Sequence, residues 1–205
     1  MPSRPVKPDF TIDFVNEKTN EEVTAEYQYS ITELFTSSNS GSGQPVKLTP
    51  GIDLFFIKKS TSGSFKSEIQ HLDVPSRPLV ISSEKDTTRN NPFIASFIFS
   101  SAVNGFDIHD IHVVNGTSAN LTGTFKAEIN PSSAGKVGVF VPANVVEGGN
   151  FASNNFWIYY KITSGLKIDN HQTFTLYPNP SNGEVFLQLD NVNYSGSIKN
   201  LFSYR

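Results

Sequence analysis

The clearest structural pattern in the chain is the stretch VTAEYQYSI at residues 23–31. Val23, Tyr27 and Ile31 belong to one set of alternating positions that is mostly apolar, and the positions between them are polar. Side chains point alternately to the two faces of a strand, so this period of two is typical of a strand with one buried face. The same alternation occurs upstream in FTIDF, residues 10–14, and the polar residues between the two stretches predict a hairpin turn.

The composition favours an all-β protein. The 205 residues include 17 Phe and 7 Tyr but one Met, and β-branched and aromatic side chains fit a pleated surface better than a helix. The net charge of −3 argues against sequence-independent binding of nucleic acid. No apolar run approaches the roughly 18 residues of a membrane span. The chain has no Cys, which excludes disulfides and a cysteine nucleophile.

A repeated phrase indicates a modular chain. PSRPV at residues 2–6 recurs as PSRPL at residues 75–79, and an extended segment follows each copy. Proline fixes φ and favours extended backbone before it, so each copy is predicted to be a stiff linker. We predict a linker at 1–7, a β-sandwich module at 8–76 (the first module) and another at 77–165 (the second module). The first copy would then close a preceding module, which makes the chain a fragment of a longer protein.

The second module contains six short apolar segments separated by Asn-Gly, Asn-Pro and Gly-Gly turns. Short strands at even spacing predict an antiparallel sandwich of immunoglobulin-like type, and thus two such sandwiches in tandem. The predicted strands are 79–82, 93–100, 111–114, 124–129, 137–141 and 156–162. The predicted core residues are Phe97, Phe99, Ile111, Val113, Phe125, Val139 and either Trp157 or Ile158.

Several phrases of the second module carry a family resemblance. FIFSSAVNGF at residues 97–106 leads into DIHVVNG at 110–116, and VPA at 141–143 and GN at 149–150 precede the last predicted strand. This pattern resembles a bacterial immunoglobulin-like repeat of large surface proteins. It departs from the repeat at residues 147–150, which read EGGN where such repeats usually carry Asp-x-x-Gly-Asn. The first module is similar, more weakly, to another repeat of Bacteroidetes surface proteins.

The C-terminal segment carries a second resemblance. LYPNPSNG at residues 176–183 is followed by alternating Val185, Leu187 and Leu189. This segment resembles the opening of the C-terminal sorting domain recognised by the type IX secretion system of Bacteroidetes. The resemblance implies a strand, a turn and a second strand, a contact with the secretion machinery, and a sorting motif made of Tyr177, Pro178, Asn179, Pro180 and Gly183. Nothing downstream resembles the later strands of that domain, so 172–205 is predicted to be a truncated sorting segment.

Two sets of residues are candidate metal ligands. On a strand, Asp107 and His109 would share one face and Asp110 and His112 the other, so neither pair completes the three or four ligands of a transition-metal site. Oxygen ligands at the loop ends of a sandwich suit calcium better. The calcium candidates are Asp86, Asp107, Asp110, Glu147 and Asn150. Solvated loops are the alternative, and no other cofactor is predicted.

No catalytic pattern is present, since the chain lacks a Gly-x-Ser-x-Gly elbow and a phosphate-binding loop. We therefore predict a non-enzymatic protein. Carbohydrate binding is an alternative function, because sandwich modules that bind glycans use exposed aromatic side chains. The candidates are Trp157 and Tyr159, with Tyr27, Tyr29, Tyr160 and Phe106 as further possibilities. Against this, Trp157 would pack in the sandwich core, and Tyr27 and Tyr29 would cover one sheet face.

These observations together predict the C-terminal part of an exported or cell-surface protein. Its modules would act as a structural spacer or adhesion unit, and its last segment would carry a type IX secretion signal. The alternative is a carbohydrate-binding module, possibly accessory to a glycan-degrading enzyme. The predicted partners are the secretion machinery and glycans or surface proteins, with no nucleic acid and no membrane span.

Overall fold

Strands make up the regular structure of the chain. A computed structural model describes residues 3–162, with the backbone strands at 174–177 and 186–189. Within these residues the chain forms β-strands, turns and one short 3-10 helix, and no α-helix, so the predicted all-β fold class is confirmed. The chain separates into two compact units, Met1–Ile162 and Thr163–Arg205. No helix in the described part is long and apolar enough to cross a membrane.

The first module contains six strands. They are β1 (Ile12–Asp13), β2 (Lys18–Thr19), β3 (Tyr27–Ser30), β4 (Asn39–Ser40), β5 (Leu54–Lys58) and β6 (Gln70–Leu72). β1 and β2 form an antiparallel hairpin. The others form an antiparallel sheet in the order β4-β3-β5-β6. The predicted hairpin between 10–14 and 23–31 is wrong, because β2 lies within the predicted turn and β3 pairs with β4 and β5. Of the nine residues predicted as a strand at 23–31, only the four of β3 form one. Val23, upstream of β3, makes a single β-bridge to Gln44.

The second module consists of two four-stranded sheets. Its strands are β7 (Leu79–Ser82), β8 (Thr87–Thr88), β9 (Phe93–Ile98), β10 (His112–Val114), β11 (Gly116–Ala119), β12 (Lys126–Pro131), β13 (Gly135–Phe140) and β14 (Phe156–Tyr160). One sheet has the order β11-β12-β9-β7 and the other β10-β13-β14-β8. Every pair is antiparallel except β8 and β14, which run parallel.

The buried hydrophobic residues form two cores, one centred in each module. In the second module, alternate residues of the facing strands are buried between the sheets; examples are Phe93 and Phe97 of β9, Val137 and Val139 of β13, and Ile158 of β14. Full burial of one such side chain contributes roughly 1.5–3 kcal/mol. The core of the first module surrounds Phe56 and Val23 and also takes in Phe151, which lies in the second module in the sequence. One core therefore draws on both modules.

Residues 107–110 do not form a strand, which corrects the facing predicted for Asp107, His109 and Asp110, whereas His112 begins β10. Ile108–Asp110 forms a turn of 3-10 helix. Asp107 accepts a hydrogen bond from the His109 backbone N–H, and Asp110 accepts one from the Asp107 backbone N–H, so the two carboxylates make a capping box. These local side-chain bonds compete with strand pairing and favour the helical turn.

The C-terminal unit contains two strands among its described residues. They are β15 (Phe174–Tyr177) and β16 (Phe186–Leu189), and they pair antiparallel with Tyr177 opposite Phe186. A strand before and a strand after the Pro-Asn-Pro phrase are what the sequence predicted.

Candidate functional site

The outer face of the β10-β13-β14-β8 sheet carries exposed aromatic side chains. On β14, Ile158 is 2% exposed and points into the core, whereas Trp157 and Tyr159 are 40% and 50% exposed and point outward. The choice between Trp157 and Ile158 as core residue is thus resolved in favour of Ile158. The expectation that Trp157 packs in the core is wrong, because the phase of β14 places the smaller aliphatic side chain inside.

The Trp157 ring lies across Gly138 on the neighbouring strand. These two residues are opposite each other in the ladder between β13 and β14. A Cβ atom added to Gly138 would lie 2.5 Å from the Trp157 Cζ3 atom, so the ring occupies the space that any other residue at 138 would fill. The Lys136 Nζ atom lies 4.5 Å from the centroid of the Trp157 ring, which is a cation–π contact. The backbone and Lys136 together fix the ring on the sheet.

The next positions on this face are also aromatic. His112 of β10 lies opposite Phe140 of β13, and their ring centroids are 4.4 Å apart. Tyr159 lies opposite Lys136 on one side and Thr87 of β8 on the other. We call these outward-facing residues the Trp157 face; they are His112, Val114, Lys136, Gly138, Phe140, Trp157 and Tyr159. Trp157 and Tyr159 were predicted as candidate glycan contacts, and the structure brings them onto one exposed face.

The remaining aromatic candidates lie elsewhere. Phe106 and Tyr160 are each 8% exposed, so both belong to the core of the second module. Tyr27 and Tyr29 are half-buried and pack against the core of the first module, Tyr27 with its ring edge toward Phe10. These four side chains therefore fill or cover hydrophobic cores, as the alternative interpretation of Tyr27 and Tyr29 anticipated.

Arg77, from the second Pro-Ser-Arg-Pro phrase, joins the two modules. Its Nη2 atom donates to the Glu17 Oε1 atom at 2.6 Å, in the β1–β2 turn of the first module. Its Nη1 atom donates to the Ala152 carbonyl oxygen at 3.1 Å, in the second module. One guanidinium thus bridges groups on both modules, which its planar fork of donors allows. Sequence analysis assigned this phrase a linker role and gave no signal for its partners.

An aromatic contact lies beside this ion pair. The Phe14 ring packs on the Phe151 ring with centroids 5.2 Å apart. Phe14 also lies directly against Gly149, where an added Cβ atom would overlap the ring. Gly149 has φ of +84°, a conformation that side chains rarely adopt. Glycine at 149 therefore satisfies both the backbone turn and the close approach of Phe14.

The two modules also line an open cleft of about 500 Å³. Its apolar wall includes Phe10, Phe14 and Phe99, and Asp73 and Glu147 contribute carboxylates from opposite modules. Both acidic side chains are exposed to solvent.

Asn150 organises the loop that forms this junction. The residue is 4% exposed, and its Oδ1 atom accepts hydrogen bonds from the backbone N–H groups of Val145 and Val146. Its Nδ2 atom donates to the carbonyl oxygens of Pro142 and Phe151. All four hydrogen-bonding positions of the amide are thus occupied by the protein's own backbone.

The calcium candidates are placed as follows. Asp107 and Asp110 lie together in the capping box, Glu147 lies on the cleft, and Asn150 is inside its loop. Residues 3–162 contain no cluster of three or more His, Asp or Glu side chains that could hold a metal ion. Asp86 precedes β8, where its carbonyl oxygen accepts from the Tyr159 N–H. Calcium stays a prediction, which the chelator experiment below tests.

An acid–base pair that sequence reasoning missed lies on the first module. The His71 Nε2 atom is 2.7 Å from the Asp53 Oδ2 atom, and the His71 ring stacks on Phe55 with centroids 4.7 Å apart. The Asp53 Oδ1 atom accepts from the Val74 backbone N–H at 2.9 Å. The hydrogen bond from Val74, and then His71, lower the pKa of Asp53, and partial burial opposes them. His71 and Phe55 face each other across β5 and β6, a pairing that only the register reveals.

The predicted sorting residues fall only partly within the described chain. Tyr177 is the last residue of β15. Pro178, Asn179, Pro180 and Gly183 lie outside the described residues.

Comparison of the chain with models of known protein families and with curated proteins gives no match.

Proposed function

We propose that this chain is a non-catalytic part of an exported or cell-surface protein, in which two β-sandwich modules act as a stiff spacer or adhesion unit. The observation that carries the proposal is the junction between the modules. Arg77 donates to Glu17 on one side and to Ala152 on the other, and Phe14 packs on Phe151. A junction with an ion pair and shared core residues resists bending, unlike a flexible linker.

Distance measurements between the modules test this stiffness. The chain has no Cys, so one exposed residue in each module, Ser42 and Lys126, can be changed to Cys and spin-labelled. We expect a narrow distance distribution by pulsed electron paramagnetic resonance. Changing Phe14 to Ala and Arg77 to Gln together should broaden it, and Phe65→Ala, an exposed Phe away from the junction, should not. A broad distribution in the parent chain would contradict the spacer role.

The proposed export rests on the resemblance of the C-terminal segment to type IX sorting domains. The pairing of β15 with β16 on either side of the phrase at 178–183 is compatible with that resemblance. The test is expression of the chain, behind a leader for the inner membrane, in a Bacteroidetes strain with and without the type IX system. We expect the chain outside the cell only when the system is present and residues 172–205 are retained. Export without the system would contradict the sorting role.

Carbohydrate recognition is the second candidate function, and one observation favours it. Trp157 and Tyr159 are exposed on the same sheet face, and the Trp157 ring is fixed against Gly138. Exposed aromatic patches mark binding sites more often than chance, and a flat aromatic surface suits the C–H face of a sugar ring.

A glycan array probed with the full chain tests this candidate. We expect saturable binding that Trp157→Ala or Tyr159→Ala abolishes and that the matched control Phe65→Ala retains. Repeating the array with calcium and with a chelator also tests the calcium prediction. Absence of binding to every glycan, by a folded chain, would leave the spacer role alone.

A further inference from the structure

The Trp157 face differs in charge from the outer face of the opposite sheet. Its outward residues on β10, β13 and β14 include Lys136 and His112 but no Asp or Glu. On the opposite sheet, β12 carries Lys126 and Glu128 two residues apart, so basic and acidic groups alternate there. On these three strands the aromatic groups of the Trp157 face are therefore accompanied by basic groups alone. On the fourth strand, β8, Thr87 lies opposite Tyr159, and Asp86 before it accepts from the Tyr159 N–H through its backbone carbonyl.

Lys136 is placed to meet a ligand that lies on Trp157. Its Nζ atom is 4.5 Å from the ring centroid of Trp157, and Lys136 is directly opposite Tyr159 in the ladder. It belongs to none of the three ion pairs within residues 3–162, which use Lys58, His71 and Arg77. An ammonium group that has no carboxylate partner in the described protein attracts an anion, and a surface ligand close to it gains from that attraction.

We propose that the Trp157 face binds an acidic polysaccharide whose sugar units carry carboxylates. The C–H face of a sugar ring stacks on Trp157 and Tyr159, and a uronate carboxylate pairs with the Lys136 ammonium group. The aromatic surface would stack equally well on a neutral or an acidic glycan. Only an acidic glycan can also pair with Lys136, so the charge of the face favours the acidic ligand. This inference rests on the second proposed function and names its ligand class.

The test compares two forms of one polymer. The probes are polygalacturonate and the same polymer with its carboxylates methyl-esterified, which removes the charge and keeps the sugar. The full chain is titrated with each probe by isothermal calorimetry. We expect the esterified polymer to bind measurably more weakly, by up to about fivefold, which is the most that a single exposed ion pair usually contributes. Raising the salt concentration should weaken binding of the acidic polymer selectively.

Three variants locate the site. Trp157→Ala should reduce binding of polygalacturonate to background, and Lys136→Gln should weaken it measurably, by up to about fivefold. Lys126→Gln is the matched control, since this lysine is equally exposed but lies on the opposite sheet. It should leave the affinity unchanged. Lys136→Gln removes an exposed charge, so the test does not depend on Trp157→Ala folding.

The outcomes separate this inference from the function on which it rests. Equal, Trp157-dependent binding of both polymers would overturn the acidic preference and leave glycan recognition standing. Failure to bind these polymers or any glycan on the array would overturn both. If sedimentation shows that Trp157→Ala dissociates an oligomer and neither polymer binds, the face is an interface between copies, and the inference is overturned. Acidic binding that Lys126→Gln weakens as much as Lys136→Gln does would also overturn it.

Discussion

Replacing Asn150 by Ala should destabilise the protein more than its small size suggests. The change removes two acceptor contacts, to the N–H groups of Val145 and Val146, and two donor contacts, to the carbonyls of Pro142 and Phe151. The backbone groups left behind belong to the loop that carries Gly149 and Phe151 into the module junction, so the damage reaches both cores.

The expected loss in the free energy of unfolding depends on how many of these backbone groups are buried away from water. The contacts to Val146 and Phe151 are buried, and those to Val145 and Pro142 are partly buried. A buried polar group without a partner costs about 1–3 kcal/mol, so the two fully buried groups imply a loss of about 2–6 kcal/mol in the free energy of unfolding. In a protein of this size each kcal/mol lowers the melting temperature by about 2–4 °C. We expect a fall of roughly 8–16 °C for a loss of about 4 kcal/mol.

The assay is equilibrium unfolding in urea, followed by circular dichroism and by the fluorescence of the single Trp, which lies in the second module. Asn155→Ala is the matched control, because Asn155 is exposed and its side chain makes no hydrogen bond to the described residues. It should shift the melting temperature by no more than about 2 °C. Asn150→Asp keeps the size and the acceptor but loses the donors, and should be nearly as destabilising as Asn150→Ala at neutral pH. Equal stability of Asn150→Ala and Asn155→Ala would refute the reasoning.

Three further predictions concern separate features. Phe14→Ala removes the half-buried ring at the junction and should lower the free energy of unfolding by roughly 2 kcal/mol. Calorimetry should then show two unfolding transitions where the parent chain shows one. A single sharp transition in the variant would count against coupling between the two cores through Phe14. Gly138→Ala should displace the Trp157 ring, which should shift the fluorescence emission of Trp157 to the red. The same change should lower the free energy of unfolding by about 1 kcal/mol. An unshifted emission spectrum would mean that the ring does not rest on Gly138. Asp53→Asn should reduce stability at pH 6 and should reduce it less at pH 3, which lies below the ordinary pKa of an aspartate. Because the pKa of Asp53 is lower in the folded protein than in the unfolded chain, its carboxylate stabilises the fold fully at pH values above the unfolded pKa. This stabilisation is lost as the pH falls through the pKa of the folded protein. An equal loss at both pH values in urea titrations would contradict this sign.

Short apolar segments between turn residues predicted most of the longer strands of the second module. The predicted segment at 79–82 coincides with β7, and the predicted strands at 93–100, 124–129 and 137–141 overlap β9, β12 and β13. These strands have one buried face, so burial imposes the alternation that the sequence displays. The strands of Thr87–Thr88 and Gly116–Ala119 were missed because their small polar residues carry little such pattern and depend on neighbouring strands for pairing.

The sequence predicted less of the candidate site than of the strands. Trp157 and Tyr159 could be named as candidates, but the side on which they lie depends on the phase of β14, which FWIYY leaves open because every residue is apolar or aromatic. Lys136 and Gly138 were not predicted, since only the pairing of β13 with β14 brings them to Trp157. The partner of Arg77 is 60 residues away in the chain, and no local pattern encodes such a contact.

The two Pro-Ser-Arg-Pro phrases are hydrogen-bonded to the modules that they precede, and the second is also bonded to the first module through Glu17. The Ser3 carbonyl oxygen accepts hydrogen bonds from the Phe65 N–H and the Ser64 hydroxyl, in the segment leading to β6. In the second copy, Arg77 donates to the Ala152 carbonyl, in the segment leading to β14. Each phrase thus lies along the segment that precedes the last strand of its module. A proline-containing phrase held in this way loses little conformational freedom when force or crowding acts on the chain, because its backbone is already fixed. The proposed stiffness at the junction would rest on the two hydrogen bonds of Arg77, to Glu17 and to the Ala152 carbonyl.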